Sequence, residues 1–76
     1  MISARQVRAG RALLGWSQRE LAARADISIN ALIRLERGTV QTRPDTFAAV
    51  ETVLRAAGVV FFQGNGVRLR PQPPPE

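Results

Sequence analysis

Neither cysteine nor histidine occurs in the sequence. Those two gaps together exclude disulfides, a thiolate nucleophile, the common zinc frameworks and imidazole acid–base chemistry. Lysine is missing too, so all 11 cationic side chains are arginine, set against 6 carboxylates. No apolar run approaches the roughly 18 residues a membrane span requires. The opening MISARQVRAG lacks the charged start and unbroken hydrophobic stretch of a secretory signal, so a soluble, cytoplasmic protein is expected. Nucleotide-binding glycine loops and a convincing carboxylate pair are also wanting, and 76 residues leave little scope for an enclosed pocket. An enzyme is therefore not expected, and no cofactor or metal is assigned.

What the chain does have is the 45% apolar content of a globular protein. Its length supports one small domain, which at this size hides only about 60% of the surface of the unfolded chain. The formal charge of +5 draws it towards a polyanion. Arginine makes forked bonds to phosphate and to guanine edges, which favours nucleic acid over a membrane surface. A GC-rich coding bias would also remove lysine, so the positions of the arginines must decide. RNA is the weaker reading, for want of an exposed aromatic platform; Trp16 reads as interhelical packing.

Ser3 and Gln6 have the spacing of a capping box, and Val7, Gly10, Arg11 and Leu14 recur at helical intervals, predicting a helix over about 3–14 that Gly15 ends. Ser17 with Glu20 forms a second, stronger box opening a short helix that buries Leu21, Ala22 and Ala25 before Asp26 turns the chain. Ser28 caps a third helix, with Leu32 and Leu35 inward, Asn30, Ile33, Arg34 and Arg37 away from them, and Gly38 as the stop. A loop then runs to Thr42. Thr42, Pro44 and Asp45 signal a fourth helix with an apolar face of Phe47, Val50, Leu54 and Ala57, closed by Gly58. VVFF and VRLR, separated by QGNG, predict antiparallel strands over Val59–Phe62 and Val67–Arg70, leaning on helix four or on another chain. The final PQPPPE reads as a solvated, extended tail.

Two short helices joined by a tight turn, the second with polar residues at its start, suit the major groove of B-DNA, roughly 12 Å wide. Over about Val7 to Leu54 the sequence resembles the Cro/C1-type (XRE-like) helix-turn-helix family of phage repressors and small bacterial regulators. The residues that carry the resemblance are LGWSQRELA at 14–22, the small Ala22, Leu32 and Leu35, and LERG at 35–38. Asp26 stands where the family usually has glycine, and aspartate tolerates left-handed backbone better than most residues. The implied fold is mainly α, a four-helix bundle over 1–58, with a β-hairpin over 59–70 and a proline-rich tail over 71–76.

The resemblance implies a structural ion pair between Arg11 and Glu36, in keeping with Arg11 lying on the apolar face of its helix. It also implies that Ser28, Ile29, Asn30 and Arg34 read bases: Asn30 matches adenine, Arg34 guanine, and Ile29 a thymine methyl. Ser28 doubles as the helix cap. Gln18, at the positive start of helix two, is placed against a DNA phosphate and, by resemblance, also props the first residues of helix three. Arg19, Arg37 and Arg43 are candidate phosphate contacts.

Related domains bind two half-sites about 34 Å apart as two-fold dimers. The apolar hairpin, through Val59, Val60, Phe61, Phe62, Val67 and Leu69, is the expected joint between subunits. The function expected is thus a homodimeric regulator on an inverted-repeat operator, a repressor because nothing in the sequence senses a small molecule. The alternative is an antitoxin-like module that grips a partner protein through Phe61, Phe62 and the tail.

Overall fold

The computed structural model describes residues 2–38 and 42–71. Four helices and one hairpin follow in order: α1 (Ala4–Leu14), α2 (Gln18–Ala25), α3 (Ile29–Arg37), α4 (Pro44–Ala56), β1 (Val59–Phe61) and β2 (Val67–Leu69). Residues 39–41 of the loop expected before Thr42, and residues 72–76 of the expected tail, lie outside the described residues.

Local chemistry sets each helix start. At α1 the capping box is complete: Ser3 Oγ accepts from the Gln6 amide at 3.1 Å, and Gln6 Oε1 accepts from the Ser3 amide at 2.8 Å. The box expected to be the stronger is only half made. Ser17 Oγ accepts from the Glu20 amide at 3.0 Å, but the Glu20 carboxylate turns to Arg24, one turn on, also at 3.0 Å. Ser28 caps α3 through the Ala31 amide. The start of α4 has Arg43 at the cap position and no side-chain cap; Pro44, whose missing N–H has no use in a first turn, begins it instead. That helix stops at Ala56, with Ala57 as its cap and Gly58 carrying the chain onward at φ 108°.

The turn from α2 to α3 is built on Asp26, the sole non-glycine residue with positive φ (57°) among those described. The Asp26 amide donates to Ala23 and Ala22 carbonyls, and the Ile27 amide reaches back to Ala22 at 3.0 Å. The orphan carbonyls of α2 are thereby satisfied and the chain reverses within three residues. Ala22 itself is buried, as the close approach of two helices requires.

Val7, Leu21, Leu32, Leu35, Val50 and Leu54 form the fully buried centre, one or more from each helix. Strands β1 and β2 pair antiparallel with Val59 opposite Leu69 and Phe61 opposite Val67. Each is one residue shorter than expected, and the connection is not a tight Asn65–Gly66 turn: Gly64, not Asn65, takes the left-handed conformation. The hairpin rests on α4, as expected, but also on α1. Gly10 makes that second seat, because a Cβ added there would stand 3.2 Å from Val59 Cγ1. Gln6 locks it: the buried side chain donates from Nε2 to the carbonyls of Phe62 at 2.7 Å and Gly66 at 3.0 Å.

Gly10→Leu is therefore expected to overpack this seam and destabilise the fold by about 1–3 kcal/mol in urea denaturation. A gain in stability, as helix propensity alone would give, would show that the hairpin does not sit on α1.

Candidate nucleic-acid interface

The best-built feature outside the apolar core is a polar knot beneath α3. Glu36 is only 3% exposed, and its carboxylate takes three donors: Arg11 Nε at 2.8 Å, Arg11 Nη2 at 3.0 Å and Gln18 Nε2 at 3.0 Å. Arg11 also donates from Nη1 to the Trp16 carbonyl at 3.1 Å, and Arg8 Nη1 donates to the Glu36 carbonyl. A buried carboxylate is tolerated only when paired in this way. Among the described residues every buried polar side-chain atom has a partner. The knot ties α1, the first turn of α2 and the last turn of α3 together.

With its rear fixed, α3 turns its other face outward. Asn30 and Arg34 lie one turn apart at i and i+4, both exposed, and neither has a side-chain hydrogen bond or ion pair among the described residues. Ser28 is exposed, with its hydroxyl occupied by the cap. Ile29 is half-buried and packs on the core edge, leaving part of its side chain open. Ile33 is half-buried as well.

The expected phosphate contacts fall around this face. Gln18 is half-buried, and its amide goes to Glu36 in the last turn of α3 rather than to the first residues of that helix. Its own N–H and that of Arg19 belong to the open first turn of α2. Arg19 and Arg37 are exposed. Arg43 leans on Asp45 at 3.4 Å, a pair 82% and 71% exposed and correspondingly weak.

The arginines divide by partner. Arg11, Arg24, Arg43 and Arg55 reach carboxylates, whereas Arg5, Arg8, Arg19, Arg34, Arg37 and Arg68 have none among the described residues. Five of these six belong to α1, the start of α2 and α3.

A family model described as Helix-turn-helix (HTH_3) matches residues 7–57, more than half of the chain. The chain belongs to the Cro/C1-type helix-turn-helix family. That family consists of DNA-binding regulators, generally without enzymatic activity. No curated protein shows a significant match to the chain. No helix among the described residues is long and apolar enough to cross a membrane.

In this helix-turn-helix domain the family resemblance pointed to the pair of Arg11 with Glu36, which the structure forms, and to the front of α3, where Asn30 and Arg34 are exposed. Sequence reading passed over Arg5, Arg8 and Gln6. The first two look like ordinary surface residues of α1, and the third like a cap, although Gln6 is 2% exposed and carries the hairpin. Arg24, stacked 4.3 Å from the Trp16 ring, was also not anticipated.

Glu36→Ala strands Arg11 and Gln18, and is expected to destabilise the domain by about 3 kcal/mol, the low end of the range for such losses because Arg11 retains 22% exposure. Arg11→Met with Glu36→Leu should recover part of that loss in a chemical denaturation series. Additive losses in the double variant would mean that the two residues do not act as a unit.

Proposed function

We propose that the protein is a sequence-specific transcriptional regulator that lays α3 in the major groove and reads bases through Ser28, Ile29, Asn30 and Arg34. The observation that carries this reading is the uncommitted pair Asn30 and Arg34, exposed side by side on a helix whose opposite side is pinned by Glu36. Asn30 is suited to the paired donor and acceptor of adenine, Arg34 to the two acceptors of guanine, and the open part of Ile29 to a thymine methyl. Gln18, through its backbone N–H at the start of α2, together with Arg19, Arg37 and Arg43, contacts phosphate.

A homodimer bound to an inverted repeat completes the reading, with repression by occupancy of the operator in the cytoplasm. The support for it is the hairpin, a sheet of two strands whose outer edges have no further strand among the described residues. Phe62 is 47% exposed, and Val60, Phe61, Val67 and Leu69 are half-buried. Val59 is only 2% exposed in a single chain and contributes to pairing by holding β1 in place. The same exposed Phe62 is what an antitoxin-like partner would grip instead.

Selection of bound sites from a random duplex pool should return an inverted repeat. Asn30→Ala and Arg34→Ala should each relax a separate base position and lose about 1–3 kcal/mol of discrimination. A pool with no enriched sequence would remove the base-reading claim. In sedimentation equilibrium at micromolar concentration without DNA the protein should be dimeric, and Phe62→Glu should make it monomeric. A wild-type monomer would sink the shared-hairpin arrangement, and a copurifying protein bound through Phe62 would favour the partner reading.

A further inference from the structure

Two shallow troughs meet on the side of α1 next to α3. One is lined by Arg8, Arg11, Gln18, Ile33, Glu36 and Arg37. The other continues from it, bordered by Arg5, Arg8, Arg37, Gly38 and Asn65. Arg8 and Arg37 belong to both, so the two form one channel from the start of α2, past the last turn of α3, to the beginning of α1. Among the described residues the sole carboxylate lining either trough is Glu36, which is buried and already engaged by Arg11 and Gln18. Of the charged residues that line the channel, Arg5, Arg8 and Arg37 have no carboxylate partner among the described residues.

Its geometry is ordered rather than diffuse. Arg8 is held by donating to the Glu36 carbonyl, which leaves most of its five N–H donors unused. Arg5 lies one turn before it on the same face of α1, about 4.5 Å along the helix axis. Arg37 follows Arg34 by one turn on α3, so the channel is continuous with the proposed base-reading face. A surface of this sign and length, opening from a helix that enters a groove, matches a sugar–phosphate backbone.

We propose that Arg5 and Arg8, with Arg37, form a second phosphate-binding track that extends the DNA contact along α1 beyond the start of α2. This rests on the DNA-binding reading above and adds residues to it. The track contributes affinity and salt dependence without selecting bases.

The full-length chain would be titrated by fluorescence anisotropy on its selected duplex across a salt series, as wild type, Arg5→Ala, Arg8→Ala, Arg5→Glu and Arg24→Ala. Arg24 serves as the charge control, since it is exposed and paired with Glu20 away from the channel. Each of Arg5→Ala and Arg8→Ala should lower the slope of log K against log salt by about 0.9 and weaken binding roughly three- to tenfold near physiological salt. Arg5→Glu should weaken it further, with the preferred sequence unchanged throughout. Arg5 makes no hydrogen bond or ion pair among the described residues, so Arg5→Ala should melt at the wild-type temperature even if Arg8→Ala does not. Phosphate-ethylation interference should lose specific positions in Arg5→Ala.

If Arg5→Ala behaves like Arg24→Ala while Arg34→Ala still relaxes a base position, the track is overturned and the base-reading face survives. If wild type enriches no sequence but Arg5→Ala still lowers the salt slope, base reading falls and the track stands. If wild type binds no duplex at all, both fall.

Discussion

A carboxylate removed from water is what the rest of this small domain is arranged around. Glu36 sits at 3% exposure, and a charge so placed destabilises a fold by several kcal/mol unless donors surround it. Arg11 from α1 and Gln18 from α2 supply them, and in doing so they fix where both helices meet the end of α3. The apolar centre is permissive by comparison. Burial of leucine and valine is non-directional, whereas the forked Arg11 contact favours one geometry. The direction of α3 is thus set from its last turn, and its front is left free of structural duties except at Ser28 and Ile29.

The same economy governs charge. Carboxylates on α2 and α4 lie one turn from Arg24 and Arg55 and hold them at short range. The carboxylate of α3 is sunk and consumed by Arg11, so Arg5 and Arg8 of α1 and Arg34 and Arg37 of α3 face solvent without a carboxylate partner among the described residues. Net charge alone gives no direction to a field. Here the positions of Glu20, Glu36 and Glu51 decide which face remains positive.

Much of the fold was legible because its signals are local. Ser3, Ser17 and Ser28 cap the helices they appeared to cap, and Gly15 and Gly38 end helices in left-handed conformations at φ 70° and 67°. Asp26 turns the chain where glycine is usual, since its C-cap hydrogen bonds hold it there. One expectation from spacing and one from the family resemblance failed where a side chain had a competing partner. Glu20 preferred Arg24 to the Ser17 amide, and Gln18 reached the end of α3 instead of its beginning. The seat of the hairpin on α1 was hidden for another reason: Gly10 and Gln6 look unremarkable in a helix, and their roles exist only once residues some fifty positions later arrive. Residues 39–41 of the expected loop and 72–76 of the expected tail lie outside the described residues.

Gln6 bonds to carbonyls 56 and 60 residues further along the chain. The helices between them close over short distances and can pack early on α1, but the part of α1 around Gln6 and Gly10 stays uncovered until the hairpin has been made. Helix α1 therefore finishes packing only when the hairpin arrives. The hairpin works as a latch on α1, with Val59 seated on Gly10 and the carbonyls of Phe62 and Gly66 holding Gln6.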